Sequence, residues 1–204
     1  MLKSPNHKCR INTIQDSITW WIFWLCHGNN TKRIWDKRPT ISVSTDSSLS
    51  AGGAFCLGDW TYCDWHWDFP EMYHEHINVK ELATTLVAAI RWSPLWANHR
   101  VVLFTDNKVT EAIINNGTTH NLTCLKILQE LASLALHFDF SITAVYIPGS
   151  KNTIADTISR LSEPQMWDKL SGILKTSHSK YFLPNHMSRN AFLSLPYQVQ
   201  YQPP

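Results

Sequence analysis

Residues 100–106 read RVVLFTD, a short continuous apolar run that ends on Thr105 and Asp106. Such a run predicts a strand covered on both faces, the kind found in parallel pairs joined through helices. Downstream, 107–116 and 121–137 carry a helical period broken at the turn NNGTTHN. SITAVYIPG (141–149) predicts another strand, stopped by Pro148 and Gly149, and NTIADTISRL (152–161) a last helix. Upstream, INVKELATTLVAAIRW (77–92) places Val79, Leu82, Leu86, Ala89 and Ile90 at helical spacing. Asn78 stands where an N-cap belongs, with Glu81 three residues on, the spacing of a capping box. Before that helix, ISVSTDSS alternates apolar and polar residues and predicts a strand from residue 41 to Asp46. AGGAFCLG and DWTYCDW follow after short turns, as in an antiparallel meander. The order β-β-β-α-β-α-α-β-α predicts an α/β fold, a mixed sheet with helices packed on it.

The flanks read differently. Residues 1–40 are a polar, basic start around Trp20, Trp21 and Trp24, a spacing that suits one face of a short helix needing a cover. The stretch 29–40 reads as a linker ending near Pro39. Residues 162–204 hold five prolines and little period, and are expected to be a tail. At 204 residues the chain is expected to hold one domain, 41–161, plus these attachments.

Composition narrows the function. With 44% hydrophobic and 17% charged residues, a disordered or low-complexity chain is excluded. Lys plus Arg exceeds Asp plus Glu by 18 − 16 = 2, so a polyanion would have to be held by a local patch. Cys9, Cys26, Cys56, Cys63 and Cys124 are odd in number, and no pair has C-x-x-C spacing. A disulfide framework and a zinc finger are therefore not expected, even beside His66, His74 and His76. The longest apolar run, Ile18 to Cys26, is about half the roughly 20 residues that cross a bilayer. The expected setting is intracellular and reducing, without membrane partners.

Four acidic residues fall at informative places: Asp46 and Asp106 at strand ends, Glu81 in the first turn of a long helix, Asp156 early in the last helix. Each has an ordinary use, as a turn former, a capping-box partner, a helix cap or a complement to a helix N-terminus. If the first and fourth strands are parallel neighbours, however, Asp46 and Asp106 stand side by side at the carboxyl edge of the sheet, where sites of α/β folds form. Clustered carboxylates repel by about 4 kcal/mol per pair at ~4 Å and an effective dielectric of ~20. A fold keeps such a cluster when a divalent cation neutralises it, and an all-oxygen donor set suits Mg²⁺ or Mn²⁺.

These segments together resemble a known family. STDSS and GGA (44–54), NVKELA (78–83), LFTDN (103–107) and YIPGSKNTIADTISR (146–160) are similar, in order, to the four motifs of retroelement ribonuclease H domains. The ending I-P-G-x-x-N-x-x-A-D-x-x-S-R is the most specific, and resembles the domain that follows reverse transcriptase in LTR and DIRS-type retrotransposons. The Trp-rich segment 17–37 looks like the connection joining polymerase to ribonuclease H in DIRS-type elements. The resemblance implies a ribonuclease H-like fold, a five-stranded mixed sheet flanked by helices. It implies hydrolysis of the RNA strand of an RNA–DNA hybrid by two Mg²⁺ ions held by Asp46, Glu81, Asp106 and Asp156. Asp46 would bridge the ions, with Asp106 and Asp156 on one side and Glu81 on the other. Hybrid recognition across the minor groove would fall to Gly52, Gly53, Asn78 and Asn107. Lys80, Lys108, Lys151 and Arg160 would meet phosphates.

Two departures stand out. The position where cellular enzymes of this type carry a histidine holds Tyr146, whose phenol cannot shuttle protons near neutral pH. No segment resembles a polymerase, so a reverse transcriptase polymerase domain is expected as a partner outside this sequence. The competing expectation is a catalytically dead or recruited module that binds nucleic acid or protein through the same fold.

Overall fold

The computed structural model describes residues 15–27 and 36–176. The chain divides into two units, 1–36 and 37–204. In the first, Gln15–His27 forms helix α1. Its Trp20 and Trp21 rings meet edge-on at 4.9 Å between centroids, as do Phe23 and Trp24 at 5.3 Å.

The second unit holds strands β1 (Thr40–Ser47), β2 (Ala51–Cys56) and β3 (Asp59–Asp64), helix α2 (Ile77–Trp96) and strand β4 (Arg100–Thr105). Helices α3 (Lys108–Asn116) and α4 (Leu122–Phe138), strand β5 (Ser141–Tyr146) and helices α5 (Thr153–Ser159) and α6 (Pro164–Thr176) complete it. The sheet order is β3-β2-β1-β4-β5; β1, β4 and β5 run parallel, and β2 and β3 are antiparallel to their neighbours. The β2–β3 hairpin closes on Leu57 (φ 51°) and Gly58 (φ 86°), both left-handed, as a two-residue turn between twisted strands requires.

Alternation along the strands builds two cores. Val43, Ala54, Cys56 and Leu103 pack with Leu82, Leu86 and Trp96 of α2 and with Ile127, Leu131 and Leu134 of α4. Trp60, Ile158, Leu161, Leu170 and Leu174 form a second cluster with Phe55 and Tyr62, which alternate with residues of the first core. The outer edge of β5 is covered by α3: Asn115 Nδ2 donates to Ala144 O and Asn115 Oδ1 accepts from Ala144 N, both at 2.9 Å. That capping blocks further strand pairing along this edge.

Three expectations need correction. Helix α2 is capped by His76, whose Nδ1 accepts from Asn78 N at 3.2 Å, so Asn78 lies inside the first turn and its side chain is released. The segment read as a featureless tail contains α6, with Leu170 and Leu174 fully buried. The spacing Met166, Leu170, Leu174 is a helical stripe that Pro164 and Gly172 disguise; Pro164 is the first residue of the helix, where proline is tolerated. The strand expected over 141–149 ends at Tyr146, and Gly149–Lys151 forms a 3₁₀ turn. Residues 177–204 of the expected tail, and 1–14 and 28–35 of the N-terminal segment, lie outside the described residues.

Candidate active site

Parallel pairing sets Ser44 against Phe104. Two residues on, the same register brings Asp46 level with Asp106, one on each neighbouring strand end. Glu81 reaches the same point from the second turn of α2. A carboxylate oxygen from each of Asp46, Glu81 and Asp106 lies within 4.8 Å of the other two. Asp46 and Glu81 are buried and Asp106 is half-buried. The capping uses weighed for Glu81 and Asp106 are taken by others. Asn107 caps α3, its Oδ1 accepting from Val109 N at 2.9 Å and Thr110 N at 3.0 Å, while His76 caps α2.

The electrostatics are those of a cluster short of positive charge. Burial pushes the Glu81 carboxyl up to about 9, the charges of Asp46 and Asp106 add to the shift, and a hydrogen bond from the Ser47 backbone N–H opposes it. Asp46 is raised to about 6, first by burial and then by Asp106 and Asp156, against the stabilising hydroxyl of Ser159. Ser159 Oγ donates to Asp46 Oδ2 at 2.5 Å. Among the described residues, Glu81 Oε2 is buried with no hydrogen-bond partner. An orphaned buried carboxylate oxygen beside two more carboxylates, with oxygen donors alone, fits a hard divalent cation.

Asp156 stands apart from this trio. Its Oδ1 accepts from Arg160 Nε at 2.8 Å and its Oδ2 lies 3.9 Å from Lys169 Nζ on α6. Its charge is nevertheless felt by Asp46.

The other predicted residues fall into two groups. Asn78 and Asn107 meet at the site, Asn107 Nδ2 donating to Asn78 Oδ1 at 2.9 Å. Lys108 is exposed, its Nζ 5.0 Å from the centre of the Tyr146 ring, and Lys151 is exposed on the 3₁₀ turn. Tyr146 is 38% exposed at the end of β5. By contrast, Gly52 and Gly53 are buried and serve packing. A Cβ on Gly52 would stand 2.8 Å from the Trp65 ring, and one on Gly53 2.8 Å from Ala155 O. Lys80 is only 2% exposed and donates to Leu49 O at 2.6 Å and Tyr73 O at 2.9 Å, tying two loops to α2 rather than facing solvent. Arg160 is engaged by Asp156.

Sequence reasoning missed Gly149, read only as a strand stop. A Cβ there would lie 2.9 Å from Asp106 Oδ2, so a larger residue at 149 would push that carboxylate aside. It also missed Asn152, buried, whose Nδ2 donates to Thr45 O at 2.8 Å, and Ser159. Both lie within the motif at 146–160, but nothing local assigns their partners, which lie more than a hundred residues away.

A five-stranded mixed sheet flanked by helices, with acidic residues gathered at the carboxyl edge of its parallel strands, is a ribonuclease H-like fold bearing a candidate metal site. Compared with protein families and with curated proteins, the chain matches none by sequence. Among solved structures it is similar to RNase H1 from the halophilic archaeon Halobacterium salinarum NRC-1, at 14% identity over 58% of this chain and 93% of that one, TM-score 0.47. It is likewise similar to the N-terminal RNase H domain of a Mycobacterium tuberculosis protein, at 16% identity over 68% and 99%, TM-score 0.46. A third is LC11-RNase H1 in complex with an RNA/DNA hybrid, at 14% identity over 58% and 91%, TM-score 0.45.

Proposed function

We propose that this chain is a divalent-metal endoribonuclease that cleaves the RNA strand of RNA–DNA hybrids, and that it derives from a retroelement reverse transcriptase. The observation that carries the reading is the convergence of Asp46, Glu81 and Asp106 from three separate elements, with Glu81 Oε2 buried and unpartnered. A stability role does not account for it, since like charges packed together destabilise the fold. Asp46, Glu81 and Asp106 would hold Mg²⁺ or Mn²⁺, with Asp156 at the rim as a further donor once it leaves Arg160 and Lys169. When bound, the metal supplies neutralisation of the cluster and Lewis-acid assistance to phosphodiester hydrolysis.

The chain's own groups handle the substrate. The Asn78–Asn107 pair presents amide groups beside the carboxylates, suited to 2′-hydroxyls across a minor groove. Lys108 and Lys151 flank the same edge as exposed cations for backbone phosphates. The Ser47 N–H holds Glu81, and Gly149 lets the backbone lie close to Asp106. The polymerase partner belongs to the same proposal.

A second reading, a binding module without catalysis, is favoured by one observation: Asp156 is held by two cations outside the trio. A cleavage assay separates the two. End-labelled hybrid incubated with the protein should lose its RNA strand with Mg²⁺ or Mn²⁺ and stay intact with chelator. Hybrid that is bound but uncut with either metal refutes the nuclease and supports the module.

A further inference from the structure

We propose that Ser159 is a positioning residue that aims the Asp46 carboxylate into the acidic trio. The inference rests on the reading of Asp46 as a metal ligand. Helix α5 spans only Thr153–Ser159, too short to hold its place alone. Its location is set by Gly53, which lies opposite Asp46 in the β1–β2 register. A Cβ on Gly53 would meet the backbone of Ala155, Ile158 and Ser159, so its absence lets the end of α5 lie directly on the strand beside Asp46. Two further bonds hold the helix there without touching the carboxylate: Ser48 Oγ donates to Ser159 O and Asn152 Nδ2 to Thr45 O, both at 2.8 Å.

With the helix so fixed, Ser159 Oγ stands 2.5 Å from Asp46 Oδ2 and 2.9 Å from Asp156 O. Its single proton goes to the shorter contact, which has the length of a charge-assisted hydroxyl–carboxylate bond. Both partners are buried, so no solvent replaces the bond if the hydroxyl is removed. One carboxylate oxygen is thereby tethered on the α5 side, which limits rotation of the group facing Glu81 and Asp106. Partners of this kind, one bond removed from a ligand, typically account for roughly 10- to 100-fold in metal affinity.

The experiment uses the full chain and three single variants. In calorimetric titration with Mg²⁺, Ser159→Ala should bind roughly 10- to 100-fold more weakly than wild type. Ser48→Ala, which loosens α5 but keeps the Ser159 hydroxyl, should lose thermal stability and weaken Mg²⁺ binding less than Ser159→Ala does. A metal-free reading runs in parallel: urea unfolding of Ser159→Ala, Asp46→Ala and the double variant should show coupling of about tenfold in the folding constant. Wild-type Mg²⁺ affinity in Ser159→Ala, or additive effects in the cycle, overturns the proposal. Wild type that binds no Mg²⁺ overturns the metal reading instead, and the cycle still decides whether Ser159 holds Asp46.

Discussion

Replacing Glu81 by glutamine should make the metal-free protein more stable, and by an amount that grows with pH. In the folded protein the Glu81 carboxyl is raised from 4.5 to about 9 by burial and by Asp46 and Asp106. A group whose folded value lies above its unfolded one favours folding fully below the unfolded value, and that contribution disappears as pH rises through the folded value. Between those limits the folded state holds one proton that the unfolded state has released. Metal-free stability therefore falls by ~1.4 kcal/mol for each pH unit on account of Glu81. From 4.5 to neutrality the accumulated loss is 2.5 × ~1.4, roughly 3–4 kcal/mol. Asp46 contributes a similar slope only up to about 6, so the window between about pH 6 and 8 isolates Glu81. Urea unfolding in chelator across that window, for wild type and Glu81→Gln, measures the difference directly. The variant should gain on wild type by ~1.4 kcal/mol per pH unit, and other titrating groups, present in both proteins, cancel. Added Mg²⁺ should flatten the wild-type slope, because a bound cation makes the ionised carboxylate the favoured form. Parallel stability curves for the two proteins would refute the reasoning, since they would mean that Glu81 is already ionised when folded.

Asp106→Asn should abolish hybrid cleavage while metal-free stability stays equal or rises, because the charge that disfavours ionisation of both Asp46 and Glu81 is gone; a variant that unfolds instead would make Asp106 structural. A chain shortened to end at residue 161 should be less stable than one ending at 176, because it loses the fully buried Leu170 and Leu174, each worth ~1.5–3 kcal/mol; equal urea midpoints would contradict the packing of α6. Gly149→Ala should weaken Mg²⁺ binding more than it lowers the melting temperature, since its new methyl group would crowd Asp106 Oδ2; unchanged affinity would remove the steric argument. Tyr146→His should leave the melting temperature nearly unchanged, the residue being 38% exposed, and should bend the pH profile of cleavage near neutrality; an unbent profile would place the residue away from the leaving group.

Much of this protein is determined by sequence alone because the signals are local. The apolar run at 101–104 and the alternation at 41–46 specify buried strands, the 3.6 period from Val79 to Ile90 specifies α2, and Asp46 and Asp106 sit at strand ends with Glu81 and Asp156 early in helices. That is sufficient for the fold class and for nominating Asp46, Glu81, Asp106 and Asp156. What only the tertiary structure decides is which of these residues meet, since a carboxylate's partners depend on register and on elements distant in sequence. Parallel pairing of β1 with β4 puts Asp46 beside Asp106, while Asp156 pairs with Arg160 and Lys169. From sequence Lys80 is expected to meet a phosphate, yet the loops that fold over α2 supply two carbonyls and bury it. From sequence Gly53 is a candidate for hybrid recognition and Ser159 a motif position without an assigned partner. They matter because α5 lies directly on β2, a contact between segments a hundred residues apart that no local pattern encodes.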